Sequence, residues 1–165
     1  MPNDLYSLAS ITEAIARNPE RWRPLVFTNG CFDLIHAGHV RYLTRAKSLG
    51  RSLVVGLNSD RSVRAIKPPR PGYPPRPIVP EWQRAEVLGA LKPVDGVVIF
   101  DDRTASHLIE TLKPDIYVKG GDYTRSTLPE TPAVQACGGR IQFVTVEIPS
   151  STSGIVERIL GKSKR

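Results

Sequence analysis

Cysteine is scarce in this sequence, with only Cys31 and Cys137 among 165 residues. Two cysteines build no disulfide framework, and these have no metal-ligand spacing. They are expected as free thiols in a reducing compartment. No apolar run approaches the ~20 residues a membrane-spanning helix needs. Met1–Ser10 lacks a charged segment followed by an apolar one, so no secretory leader is read and a cytoplasmic location is expected. There are no internal repeats, and no Ser/His/Asp or Cys/His constellation points to covalent catalysis. Lys plus Arg exceeds Asp plus Glu, 23 against 16. Such a surface favours anionic partners, but no basic stripe interleaved with aromatics is present to grip a single strand. Nucleic acid is therefore not the expected partner, and a membrane is excluded.

Short β-rich apolar runs recur instead: Leu25–Phe27, Leu53–Leu57, Val97–Phe100, Ile116–Val118 and Ile141–Val146. Several are continuous, not alternating, as strands covered on both faces are. Helical patterns lie between them, at Ser7–Ala16, Gly38–Leu49, Arg61–Ile66 with Asp60 as its cap, Pro80–Leu91, Thr104–Leu112 and Pro132–Cys137. A last one runs from Ser151 or Ser153 to Leu160. Alternation of this kind predicts an α/β fold: a Rossmann-like, doubly wound, five-stranded parallel sheet in a single domain at 24–165. A helical segment at 1–23 precedes it. Ligands in such sheets bind beyond the carboxyl ends of the strands, where strand order reverses. Trp22 and Trp82 read as packing residues.

Lys67–Pro80, KPPRPGYPPRPIVP, interrupts the alternation and is half proline. It is neither helix nor central strand. Two readings stand: a stiff surface linker, or a loop that delivers Lys67, Arg70 and Arg76 to a polyanion.

The turn after the first of these strands carries the chemistry. Gly30-Cys-Phe-Asp-Leu-Ile-His-Ala-Gly-His39 places two histidines three apart where a helix begins. A helix start offers unpaired N–H groups and the positive end of the dipole, a ready anion site. His36 and His39 then lie on about one face, and Gly38 lets a phosphate approach the backbone. The pair lacks a usual zinc spacing and a third ligand, so no metal is assigned to the protein. His107, on a helix with no partner motif, is read as an ordinary surface or core residue.

This decapeptide resembles the signature of the HxGH nucleotidyltransferase superfamily, in its cytidylyltransferase-like branch. Class I aminoacyl-tRNA synthetases share the HxGH element, but this chain is short and has no Lys-Met-Ser-Lys-Ser sequence. Val55-Gly-Leu-Asn-Ser-Asp60, Arg76-Pro-Ile, Glu81-Trp-Gln-Arg84 with Leu88–Asp95, Val118-Lys-Gly-Gly-Asp-Tyr123 and Ser151-Thr-Ser153 extend the likeness. It covers roughly residues 24 to 160. Lys-Gly-Gly-Asp-Tyr, with Thr-Asn-Gly before Phe-Asp, is most similar to the heptose 1-phosphate adenylyltransferases of ADP-heptose synthesis. The glycerol-phosphate cytidylyltransferases carry an Arg-Thr-Glu-Gly stretch where this chain has Val146-Glu-Ile-Pro-Ser150. In many relatives a sugar-kinase domain precedes this one, so any kinase needed is expected on another chain.

The resemblance implies transfer of AMP from ATP to a phosphorylated sugar, with Mg²⁺ carried on the triphosphate. His36 and His39 would donate to the α-phosphate and its bridging oxygen, and Lys67 would contact the triphosphate or the incoming phosphate. Asn29, Gly30, Cys31, Phe32, Gly38, Lys119, Gly121 and Asp122 would frame the nucleotide, and Ser151, Thr152 and Ser153 would hold its outer phosphates. Arg84 would clamp an acceptor or nucleotide phosphate, and Arg76 would bind substrate. Asp33 and Asn58 stand either as acceptor contacts or as turn residues. The rival readings are another acceptor or base (glycerol 3-phosphate with CTP, or a flavin mononucleotide) and a non-catalytic α/β module that binds nucleic acid. The helix at Ser7–Ala16 is open to three uses: covering the sheet, a homodimer, or a contact with a separate kinase.

Overall fold

The computed structural model describes residues 4–121, 123–147 and 150–162. The chain runs β1 (Leu5–Tyr6), α1 (Leu8–Arg17), α2 (Pro19–Trp22), β2 (Leu25–Gly30), α3 (Ala37–Lys47), β3 (Ser52–Asn58) and α4 (Asp60–Ile66). It continues through α5 (Glu81–Gly89), β4 (Gly96–Phe100), α6 (Ser106–Leu112), β5 (Ile116–Gly120), α7 (Thr131–Ala136), β6 (Arg140–Val144) and α8 (Thr152–Ile159). The strands form one sheet in the order β1-β4-β3-β2-β5-β6, and every pairing is parallel. From β2 the chain steps outward through β3 and β4, then crosses back to β5 and β6. The order reverses between β2 and β5, and the crevice opens there.

Continuous apolar strands explain the two-sided core. Leu25 and Phe27 of β2 point to one face with α1, α6 and α7, while Val26 points to the other with α3 and α5. All seven residues of β3 are buried. An amphipathic α1 lays Ile11 and Ile15 on the first face, so its apolar residues cover the sheet.

The sheet has six strands, one more than the sequence pattern displayed. β1 pairs Leu5 with Val97 and Tyr6 with Val98. Two residues are too short for any periodicity, so only the tertiary contact reveals this edge. Residues of the 1–23 segment thus join the same sheet and core as the rest. Ser59, not Asp60, caps α4, its hydroxyl accepting from the Ser62 N–H. Trp22 is buried, but Trp82 on α5 is 60% exposed and packs no core.

Candidate active site

The turn from β2 into α3 is built around its aromatic and glycine residues. Phe32 sits at φ 43, in the left-handed region where side chains are uncommon. Its ring packs on His39, centroids 5.3 Å apart, and a Cβ on Gly30 would meet that ring at 3.0 Å. His36 is the N-cap of α3 and makes no side-chain cap, leaving the first-turn N–H groups open. The two histidine rings stack with centroids 3.9 Å apart and planes 29° from parallel. Gly38 lies beneath His36, where a Cβ would come within 2.9 Å of the imidazole. Glycine here leaves room for the imidazole where it lies, a reason beside the approach of a phosphate. Tyr42, one helical turn on, anchors the assembly: its hydroxyl hydrogen-bonds Thr28 of β2 at 2.8 Å and donates to the Val118 carbonyl of β5 at 3.0 Å.

Burial, then the neighbouring His36, pushes the His39 pKa down to about 4, and burial lowers that of His36. Both rings are neutral at pH 7. Nδ1 of each is buried without a hydrogen-bond partner among the described residues, so Nε2 is the nitrogen left to meet a ligand.

Two clefts meet at these rings. One, of about 520 Å³, runs over the carboxyl ends of β2, β3 and β5 and is lined by Asn29, Gly30, Cys31, Phe32, Asp33, His39 and Asn58. Lys67, Arg76, Arg103, Lys119, Tyr123, Glu130 and Ser151–Ser153 complete its wall. The other, of about 490 Å³, is bounded by His36, Gly38, Tyr42, Gly120, Gly121, Val144, Val146 and Ser150. His39, Ser151 and Thr152 belong to both. Ser151 caps α8, accepting from the Gly154 N–H, and Thr152 donates to the Leu34 carbonyl at 3.4 Å. The starts of α3 and α8 therefore face a shared space with their dipoles' positive ends. Cys31 lines it as a thiol whose pKa burial raises, against the pull of Lys67, Arg84 and Arg76. Cys31 and Cys137 are both free.

The four residues expected at the substrate, Asp33, Asn58, Arg76 and Arg84, all make hydrogen bonds within the protein. The side chain of Asp33 is fully buried; it accepts from the Ile78 and Val79 N–H groups and pairs with Arg76. It fastens the end of the proline-rich loop to the β2–α3 turn. Arg84 has no exposed side-chain surface, and every guanidinium nitrogen is used. Its Nε donates to the Val79 carbonyl, Nη1 to the Cys31 and Asn58 carbonyls, and Nη2 to Asp60 at 2.7 Å. Arg84 ties three loops together through these hydrogen bonds. Asn58 is also buried, its amide donating to the Ser62 hydroxyl.

Lys119 donates to the Asn29 carbonyl at 3.0 Å, and burial lowers its pKa. The Asn29 amide oxygen accepts from Tyr117 at 2.6 Å. Asp122 lies outside the described residues. Lys67 and Arg76 also line a smaller cavity of about 260 Å³ between the proline-rich loop, with Arg70 and Tyr73, and α8. His107 lies on α6 in a groove against α1, away from both clefts. Arg103, Tyr42 and Glu130 line the clefts without having been singled out in the sequence. None sits in a glycine- or histidine-bearing motif, so no local signal separates them from other surface or helix-start residues.

The cytidylyltransferase-like family model matches residues 27–161. The chain is 46% identical over 153 residues to the bifunctional protein HldE of Syntrophotalea carbinolica, covering 93% of this chain and 30% of that protein. It is 49% identical to the bifunctional protein HldE of Geobacter metallireducens, covering 95% and 30%. The chain thus spans about 30% of the length of these curated relatives. Among solved structures, the lipopolysaccharide core biosynthesis protein from Thermoplasma volcanium superposes with a TM-score of 0.59 at 26% identity, covering 74% of this chain and 94% of that one.

Proposed function

The chain belongs to the cytidylyltransferase-like family of nucleotidyltransferases, and on that premise we propose that it transfers AMP from ATP to a heptose 1-phosphate, releasing pyrophosphate. The observation that carries this reading is the stacked His36–His39 pair at the junction of two clefts, faced by two helix starts. An acceptor phosphate oxygen attacks the α-phosphorus in line; the new O–P bond forms as the bond to the bridging oxygen breaks. A phosphate monoester has a second pKa of ~6 and is largely dianionic at neutral pH, so its nucleophilic oxygen needs no general base. The protein's work is positioning and charge stabilisation.

In this reading Nε2–H of His39 and His36 donates to oxygens on which charge builds at the α-phosphorus. The start of α8, with Ser151–Ser153, takes the outer phosphates. The smaller of the two clefts, walled by Gly120, Gly121, Val144 and Val146, suits a flat base and ribose. The cationic cleft, with Lys67, Arg76, Arg103 and Lys119, suits the phosphorylated acceptor. Mg²⁺ carried on the triphosphate would supply neutralisation of charge on its oxygens. Asp33 and Asp60 are paired with Arg76 and Arg84 and would not hold the ion.

The choice of heptose rests on the Lys119–Tyr123 sequence, and a solved relative named for lipopolysaccharide core biosynthesis agrees with it. The kinase that would make the acceptor is placed on a separate polypeptide segment or chain. The test is pyrophosphate release with Mg²⁺, crossing ATP and CTP with heptose 1-phosphate and glycerol 3-phosphate. Release with ATP and heptose 1-phosphate alone is expected. Release with CTP and glycerol 3-phosphate would keep the mechanism and overturn the substrates.

A further inference from the structure

Glu130 is the residue immediately before α7 and is only 3% exposed. One carboxylate oxygen, Oε1, accepts from the Ala105 N–H at 3.2 Å, just ahead of α6. The other, Oε2, is buried and makes no hydrogen bond within 3.5 Å among the described residues; the Tyr117 hydroxyl and the Lys119 ammonium lie close enough to feel the carboxylate's charge. No ion pair within 4.0 Å reaches Glu130 among those residues, although it lines the same 520 Å³ cleft as Lys119 and Arg103. A buried carboxylate oxygen left unmatched is costly, and native proteins keep few of them without a use.

Its place in the fold says what would match it. α3 packs on one face of the sheet and α6 and α7 on the other. The cleft crosses the carboxyl ends of the strands from the histidines to Glu130. A carboxylate repels phosphate and accepts only from donors. A molecule whose phosphate lies at the histidine end and whose body crosses the sheet would present hydroxyl groups at Glu130.

We propose that Glu130 is a specificity-determining residue whose Oε2 accepts a hydrogen bond from a hydroxyl of the acceptor sugar. The assignment rests on the reading of the reaction given above. It separates a polyhydroxylated acceptor from one that carries an anion or an apolar group at that end. The Ala105 N–H holds the carboxylate in place, so the oxygen is oriented before the sugar arrives.

The experiment compares the wild type with Glu130→Gln, which can keep the Ala105 contact through its amide oxygen. Steady-state pyrophosphate release gives kcat and the acceptor KM for heptose 1-phosphate and its monodeoxy analogues; calorimetry gives ATP affinity without acceptor. A hydrogen bond to a charged group predicts an acceptor KM raised about 10-fold or more, with ATP affinity and thermal midpoint unchanged. One monodeoxy analogue loses the same factor on the wild type and no further factor on the variant. An acceptor KM within about twofold of wild type, a parallel loss of ATP affinity, or no such analogue on the wild type overturns the assignment of Glu130 while the reaction stands. If Glu130→Gln does not fold, Glu130→Asp takes its place in the same comparison, with the same outcomes deciding. A wild type that neither binds nor turns over any sugar 1-phosphate overturns both.

Discussion

Asp33 and His39 stand six residues apart in one turn, and their surroundings are opposite. Asp33 is enclosed and answered: two backbone N–H groups and Arg76 take up its charge. Arg84 is its counterpart, with every guanidinium nitrogen donating to a carbonyl or to Asp60. His39 is largely enclosed but unanswered, its Nδ1 without a partner among the described residues and its charge state suppressed. Residues of one motif thus divide into a satisfied web that fixes the loops and an unsatisfied pair left for a ligand. Motif membership alone does not tell the two apart; the hydrogen-bond ledger does.

The sharpest way to break this division is Arg84→Met. If Arg84 belongs to the web, its loss leaves a cavity at a fully buried side chain and takes the donor from the half-buried Asp60 and from three carbonyls. Unfolding free energy should then fall by about 3 kcal/mol or more, read from urea denaturation. A variant of normal stability with a raised acceptor KM would return Arg84 to the substrate. His39→Ala should behave in reverse. Folding is kept, but kcat for pyrophosphate release falls ~100-fold or more, because a donor aimed at developing charge is lost. Near-normal turnover by a folded His39→Ala protein would remove the histidines from the chemistry. Asp33→Asn is intermediate. It weakens the hold on residues 76–79, and a stability loss of about 1–3 kcal/mol is expected in the same denaturation assay.

A pH series sharpens the comparison from the other side. The folded protein holds His39 near pKa 4, below its ordinary 6.5. Between those values the unfolded chain binds a proton that the folded one refuses, so stability rises with pH across that window. The contribution is fully present above pH 6.5 and is lost as pH falls toward 4. His39→Ala should flatten that part of the curve, measured by denaturation at each pH. The smallest effect is expected at Trp82→Ala. It removes a mostly exposed ring outside the web and outside both clefts, and stability should change by less than about 0.5 kcal/mol.

Much of this was legible in the sequence. Continuous runs such as Leu53–Leu57 announced strands buried on both faces, and the histidine–glycine spacing announced the helix start that α3 occupies. β1 was hidden because two residues carry no period. The intraprotein contacts of Arg84 were not legible, because a helix pattern cannot say whether an arginine's fork meets the protein's own carbonyls. Glu130 was invisible for a related reason. Its neighbours are Pro129 and Thr131, which mark only a helix start, and its contact with Ala105 spans 25 residues. Long-range partners of polar groups are set by the sheet topology, and sequence spacing does not encode them locally.

The proline-rich loop carries a thermodynamic consequence. Half of its residues have a fixed φ. Asp33 fastens the loop at Ile78 and Val79, and Lys162 fastens it by donating to the Gly72 carbonyl. The Tyr73 ring sits between Arg70 and Lys162, 4.1 and 4.4 Å from the two cations. Lys67 and Arg76 are therefore held on a segment with little chain entropy left to lose. A flexible loop of the same charge would have to be ordered each time a polyanion arrived. Here most of that ordering is completed when the protein folds, so little of the attraction to phosphate is spent on holding the loop still.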